Sequence, residues 1–153
     1  MRGTVSVCIP AYRARFLETT LESVVVQTRP ADEIIVVDDC SPSDLRSIAK
    51  KFAGRGVRYV RNQANMGPPE NYNRALSMAS SDYVMIFCDH DVMREDFIER
   101  CAKLLDENPE VALVFSAVDA IDEAGEVIRQ YPRDQFPSVF EGELLARRLV
   151  TRM

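Results

Sequence analysis

One histidine, His90, stands among 153 residues, which rules out a metal centre built on several imidazoles. A Ser-His-Asp arrangement would have to use His90, and no G-x-S-x-G elbow accompanies it. The four cysteines, Cys8, Cys40, Cys88 and Cys101, form no C-x-x-C pair; this argues against a zinc site or a thioredoxin-type motif. Cys8 and Cys88 fall inside apolar runs, and the expectation is reduced structural thiols in a cytoplasmic protein. No apolar run approaches the roughly 20 residues of a membrane span. The run near the start is too short for a signal peptide. Glycine-rich phosphate loops are missing too. Neither G-x-G-x-x-G after the first apolar run nor G-x-x-x-x-G-K-[ST] occurs, so a dinucleotide fingerprint and a P-loop are both absent. A net charge of −5 and a pI near 5 argue against nucleic acid as the main partner.

What is present is ordinary in bulk and patterned in detail. The chain is 46% hydrophobic and 28% charged, and it is long enough for one domain with a real core. Val5 to Ile9 reads as a short β-branched strand ended by Pro10, with Pro10-Ala11-Tyr12-Arg13 as the loop at its carboxyl end. Leu17, Leu21, Val24 and Val25 recur at helical spacing between Phe16 and Gln27. Glu33 to Asp38 reads as a second, buried strand. Ser41 or Ser43 is placed to cap a helix over Leu45 to Phe52. Val57 to Val60 is a third strand, and the Asn-, Gly- and Pro-rich stretch from Asn62 leads into a helix with Pro68 or Pro69 in its first turn. Tyr83 to Cys88 reads as a strand buried on both faces. A helix follows over Arg94 to Glu107, with Phe97, Ile98, Cys101, Leu104 and Leu105 as its apolar stripe. Val111 to Phe115 reads as another strand. Val118–Ile121 and Val127–Tyr131 read as a hairpin turning at Asp122 to Gly125, and Glu141 to Thr151 as an amphipathic helix. Strands alternating with helices predict an α/β three-layer sandwich with a mainly parallel sheet, one domain over 1–153.

The strands end in polar chemistry. Asp38-Asp39 follows the second strand and Asp89-His90-Asp91 follows the fourth. Carboxylates at the end of an apolar run are costly unless they meet water, a cation or a ligand, and ligands of open α/β sheets bind outside the carboxyl ends of strands. A nucleotide fits that chemistry. Asp39 and Tyr12 offer an acceptor and a face for a base, and Asp89 an acceptor for ribose hydroxyls. Asp91, alone or with Asp89, offers hard oxygens for the Mg²⁺ or Mn²⁺ that a diphosphate needs. Each reading has a plainer rival. The acids can cap helices, Tyr12 can be a core aromatic, and His90 can be an exposed spacer, a partner to the acids or a ligand to manganese. Asn65, Gly67, Asn71 and Asn73 can build a turn, and Arg74 can be a surface charge.

The stretches VSVCIPAYRARFLETTLESVVVQT, EIIVVDDCSPSD, NQANMGPPENYNRAL and SSDYVMIFCDHDVMREDFIE, over about Thr4 to Glu99, together resemble the family 2 glycosyltransferases of the GT-A fold. The resemblance implies a nucleotide-sugar donor, expected to be UDP-linked, and a hydroxyl acceptor that is a glycan, a lipid or another alcohol. It implies transfer with inversion, assisted by Mn²⁺ or Mg²⁺. It implies that Pro10, Ala11, Tyr12 and Arg13 form the first nucleotide-binding loop and that Asp39 receives the base, commonly uracil. Asn71 to Arg74 then line the donor site. Asp89, His90 and Asp91 form the acidic motif that meets ribose and metal-bound diphosphate, with Asp91 and Asp89 as metal ligands. Many relatives carry Asp where this chain has His90. In inverting members a carboxylate from the acceptor half is the general base; that half follows where this chain stops, so the expectation is a donor-binding part, truncated at its C-terminus, with no nameable base. Asp119 and Asp122 are acids near the edge of the donor region. The rival readings are a nucleotide-binding fragment without turnover, a nucleotidyltransferase, and an interaction domain without ligand. The expected location is cytoplasmic, including the membrane periphery, and an uncovered sheet face would favour self-association.

Overall fold

The computed structural model describes residues 2–131. The chain divides into two compact units, Met1–Val114 and Phe115–Met153. In the first, four strands form one parallel sheet in the order β3-β2-β1-β4: β1 (Val5–Ala11), β2 (Glu33–Asp38), β3 (Val57–Arg61) and β4 (Tyr83–Ile86). The helices are α1 (Leu17–Val25), α2 (Leu45–Lys50), α3 (Pro68–Ser77) and α4 (Phe97–Glu107).

Alternation along the strands sends side chains to two cores. Val5, Val7, Ile9 and Ala11 of β1 join Ile34 and Val36 of β2 on one face. There they meet Leu17, Leu21 and Val24 of α1, Leu45 and Ala49 of α2, and Ile98 and Ala102 of α4. Cys8, Ile35 and Val37 point the other way and meet Ala75 of α3, with Met78, Ala79 and Ile86 alongside. The result is the expected three-layer α/β/α sandwich. Each fully buried Leu or Ile contributes roughly 1.5–3 kcal/mol of transfer free energy.

The most buried strand is β1, all seven of whose residues are buried. The sequence suggested a double-sided burial for Tyr83 to Cys88, and the structure corrects this. β4 is shorter, pairs only with β1 among the described residues, and leaves Val84 44% exposed. An apolar run is the same string in the middle of a sheet or at its edge; only the pairing decides. β1 also runs further than expected, through Pro10 and Ala11, which pair with Val37 and Asp38. Ser6, Cys8 and Pro10 present their backbone polar groups to the β4 side. The β4 ladder stops at Cys8↔Ile86, so the N–H that Pro10 lacks would have had no strand partner.

Helix ends differ from the sequence reading for local reasons. Asp44, rather than Ser41 or Ser43, caps α2 by accepting from the Ser47 amide at 3.1 Å. Pro68 and Pro69 open α3 as expected. α4 starts at Phe97 instead of Arg94. Its Ile98 amide donates to Oε1 of buried Gln27 at 3.0 Å, and the Gln27 amide group donates to the carbonyl of Arg94 at 2.7 Å. Gln27 thus satisfies a first-turn N–H that no cap side chain serves. Of the expected α4 stripe, Ile98 is buried but Leu104 is 48% exposed. Val111 to Phe115, expected as a strand, joins no ladder, and Leu113 is 62% exposed.

In the second unit, β5 (Val118–Ile121) and β6 (Val127–Tyr131) form the expected antiparallel hairpin. The Asp122 carboxylate accepts the amides of Ala124 and Glu126 at 2.9 and 3.0 Å and holds the turn. The expected Glu141–Thr151 helix lies outside the described residues.

Candidate functional site

Parallel pairing brings the carboxyl ends of β2, β1 and β4 side by side. Backbone bonds continue past the ladders there. The Asp39 amide donates to the Ala11 carbonyl and the Phe87 amide to the Cys8 carbonyl, both at 2.9 Å. The segments after Ala11, Asp38 and Ile86 therefore leave the sheet together.

Asp89 joins two of them. Its Oδ2 accepts the backbone N–H of Tyr12 at 2.8 Å and of Arg13 at 2.9 Å, while Oδ1 lies 3.1 Å from His90 Nδ1. Asp89 is 9% exposed. Two charge-assisted bonds from one carboxylate fix the backbone of the β1 exit. The rival reading of Asp89 and Asp91 as caps of the following helix does not hold, since α4 begins at Phe97.

Asp39 does the corresponding work between β2 and α3. It is 3% exposed. Oδ1 accepts from Asn62 Nδ2 and the Met66 amide, each at 2.8 Å, and Oδ2 accepts from the Gly67 amide at 2.9 Å. Gly67 has φ 82°, where a side chain would be strained, so the loop closes against Asp39 only with glycine there. The Asn62 amide also donates to Asn71 Oδ1 at 3.0 Å, and Asn71 Nδ2 donates to the Val37 carbonyl at 3.0 Å. Asn62 Oδ1 is buried with no hydrogen-bond partner among the described residues. Before it, Asp38 is wholly buried; it accepts from the Ser41 amide at 2.7 Å, from the Tyr59 hydroxyl and from the Arg61 guanidinium. The Arg61 pKa is raised, first by Tyr59 and then by Asp38. Neither Asp38 nor Asp39 caps α2. Between them and Ser41, Cys40 takes φ 55°, a left-handed conformation that costs a non-glycine residue about 1–2 kcal/mol.

The sequence-nominated residues therefore divide. Pro10 and Ala11 are buried strand residues instead of loop. Tyr12 is 44% exposed, so it is no core aromatic, and Arg13 is exposed beside it. Asn71 is 3% exposed and faces the sheet; Arg74 is half-buried farther along α3. The side chains of His90 and Asp91 are 60% and 53% exposed, with Nε2 of one 4.0 Å from Oδ1 of the other. Asp119 pairs with Gln130 in the hairpin, and Asp122 is spent on its turn.

A divalent cation fits this end in one limited sense. Asp91 offers an exposed carboxylate, and Asp89 Oδ1 is engaged, among the described residues, only by the exposed His90 ring. The described residues contain no group of three or more His, Cys, Asp or Glu placed to hold a metal. A hard cation bound by one or two carboxylates takes its remaining ligands from substrate phosphate and water, so the donor set suits an ion that arrives with a diphosphate.

Sequence reading missed three participants. Ser41 donates to the Tyr12 carbonyl at 2.7 Å and braces the same exit from the other side. Asn62 ties Asp39 to Asn71. Tyr72 lies 3.6 Å, hydroxyl to Sγ, from Cys88. The asparagine-rich loop was a signal for Asn62; Tyr72 lay inside the Asn71–Arg74 segment that the resemblance set along the donor site, but nothing marked its contact with Cys88, 16 residues away.

A sequence model described as glycosyl transferase family 2 matches residues 6–150. Abequosyltransferase RfbV of Salmonella typhimurium is 30% identical over 115 residues, 71% of this chain and 34% of that protein. Among solved structures, S. aureus TarS 1-349 superposes with a TM-score of 0.66 at 26% identity, covering 69% of this chain and 33% of its own. The mannosyltransferase PcManGT from Pyrobaculum calidifontis, in complex with GDP-Man and Mn²⁺, superposes with a TM-score of 0.61 at 25% identity, over 80% and 36%. The chain spans less than half the length of the curated relatives it matches. These neighbours carry the GT-A fold, the fold class expected from the sequence. Among the described residues no helix is long and apolar enough to cross a membrane.

Proposed function

This chain belongs to glycosyl transferase family 2, and from that premise we propose that it is the donor-binding part of an enzyme that moves a sugar from a nucleotide sugar to a hydroxyl acceptor with inversion. The observation that carries the reading is the Asp89 clasp. One carboxylate holds the exit of β1 by two amides and so sets exposed Tyr12 and exposed Asp91 at neighbouring strand ends. Tyr12 supplies a face for the base, with Arg13 beside it. Asp89 and Ser41 hold that loop's backbone, and Asp39 keeps the Met66–Gly67 loop closed beside the end of β2. Asp91, with Oδ1 of Asp89, which His90 Nδ1 approaches at 3.1 Å, would hold the cation, whose chemistry is to neutralise charge on the departing diphosphate. Uridine is the proposed nucleoside, from the family resemblance at Asp39; guanosine is the competing base, because PcManGT binds GDP-Man. The acceptor is a glycan, lipid or other alcohol, and its general base lies outside the residues assigned here.

A second reading, nucleotide binding without turnover by this chain alone, is favoured by the span it covers of its relatives. Calorimetric titration with UDP, GDP and dTDP, with and without Mn²⁺, tests the binding step. Metal-dependent binding that Asp91→Ala abolishes is expected; no binding to any of the three overturns the donor-site reading. Product release from the matching nucleotide sugar and a hydroxyl acceptor separates the enzyme from the binding module.

A further inference from the structure

α3 turns two neighbouring residues to opposite tasks. Asn71 is buried against the sheet through the Val37 carbonyl. Tyr72 is 38% exposed, and its hydroxyl reaches the acidic turn after β4, 3.6 Å from Cys88 Sγ. Cys88 precedes Asp89, and its carbonyl accepts the Asp91 amide at 3.3 Å. The phenol thus stands against the turn that carries the two carboxylates proposed to meet the diphosphate.

Either group can donate in this contact. A thiol is a weak donor and a weak acceptor, so the Tyr72 O–H is readily given up to a stronger acceptor. A phenol is protonated at neutral pH. A neutral O–H at the edge of an acidic turn gives a phosphate oxygen a hydrogen bond without further negative charge.

We propose that Tyr72, held by Cys88, is a donor-site contact whose hydroxyl bonds a diphosphate oxygen and so favours a nucleoside diphosphate over the monophosphate. This rests on the donor-site reading above. A residue that merely covered Cys88 would affect stability and treat both nucleotides alike.

The test is calorimetry in Mn²⁺ on the wild-type chain, Tyr72→Phe, Cys88→Ser and Cys88→Ala, with UDP against UMP and GDP against GMP. Tyr72→Phe keeps the ring and is expected to weaken the diphosphate that binds about tenfold while leaving the monophosphate within about twofold. Cys88→Ser retains a partner for the phenol and is expected to keep the discrimination, whereas Cys88→Ala reduces it. Unchanged diphosphate binding in Tyr72→Phe, or an equal loss for diphosphate and monophosphate, overturns the assignment. If the wild-type chain binds neither diphosphate, the donor-site reading fails and takes this one with it, an outcome distinct from the other two.

Discussion

The Asp89 carboxylate accepts the Tyr12 backbone N–H at 2.8 Å across 77 residues of chain. The same oxygen accepts from Arg13, so an acid at the end of β4 decides where the chain goes after β1. Asp89→Ala would leave both amides without their acceptor. The expected loss is about 2–4 kcal/mol in chemical denaturation, from unsatisfied donors of partly charged bonds. A loss under about 0.5 kcal/mol would show that water replaces the clasp.

Asp39 and Asp91 should separate stability from binding. Asp39 accepts three N–H donors while 3% exposed, and Asp39→Ala is expected to cost about 2–4 kcal/mol. Asp91 is exposed, and Asp91→Ala should stay within about 0.5 kcal/mol of wild type while metal-dependent nucleotide binding disappears. Parallel denaturation curves and titrations decide between these roles. Equal destabilisation by both would contradict the division.

At the amino end of the sheet, three carboxylates are held by neighbours and have lowered pKa values. Glu33 accepts first from Ser6, then from Ser80. Asp82 accepts from Thr4, and Asp106 from the Gly3 amide. The folded values lie below the unfolded ones, so the unfolded state binds more protons in that window. Their stabilisation is present above about pH 4–5 and is lost as pH falls through the lower folded values. Thermal melts from pH 7 to pH 3 should show a flat upper region and a decline beginning near pH 4, shallower in Glu33→Gln. A decline centred near pH 6 would point to another group.

Cys40 carries φ 55°. Cys40→Gly removes a left-handed penalty of about 1–2 kcal/mol and adds about 0.5–1 kcal/mol of unfolded-state entropy. The expected result is unchanged stability or a gain of up to about 1.5 kcal/mol in denaturant titration. A loss greater than that would assign the stabilisation to the Sγ contacts with Gln63 and Arg61.

Cys8 is fully buried in β1, and burial, followed by the Glu33 carboxylate, pushes its thiol up to about 11. In the native protein at pH 8, a thiol reagent should modify it only at the rate of unfolding. Mass spectrometry of timed samples checks this; prompt labelling of Cys8 would mean that β1 opens locally.

Much of the architecture was legible because it is written in short-range pattern. The β-branched runs Val5–Ile9 and Glu33–Asp38, the helical spacing of Leu17, Leu21 and Val24, and the Pro68-Pro69 start of α3 each specify an element from its own residues. Their alternation specifies a parallel sheet, and the acids after Asp38 and Cys88 mark its carboxyl end. Those facts follow from periodicity, backbone stereochemistry and the cost of burying charge, and need no knowledge of the partner strand. What each acid does is a different matter. Asp39 and Asp89 look alike with Asp91 in the sequence, yet the first two are buried carboxylates that hold backbone amides and the third stands in solvent. Pro10 belongs inside β1 because β4 ends before reaching it, and β4 is an edge because only β1 pairs with it among the described residues. Tyr72 meets Cys88 because α3 crosses the sheet beside β4. Hydrogen bonds spanning 77, 28 and 16 residues depend on how strands are ordered in space, and strand order is set by packing and pairing between elements; no local pattern encodes it.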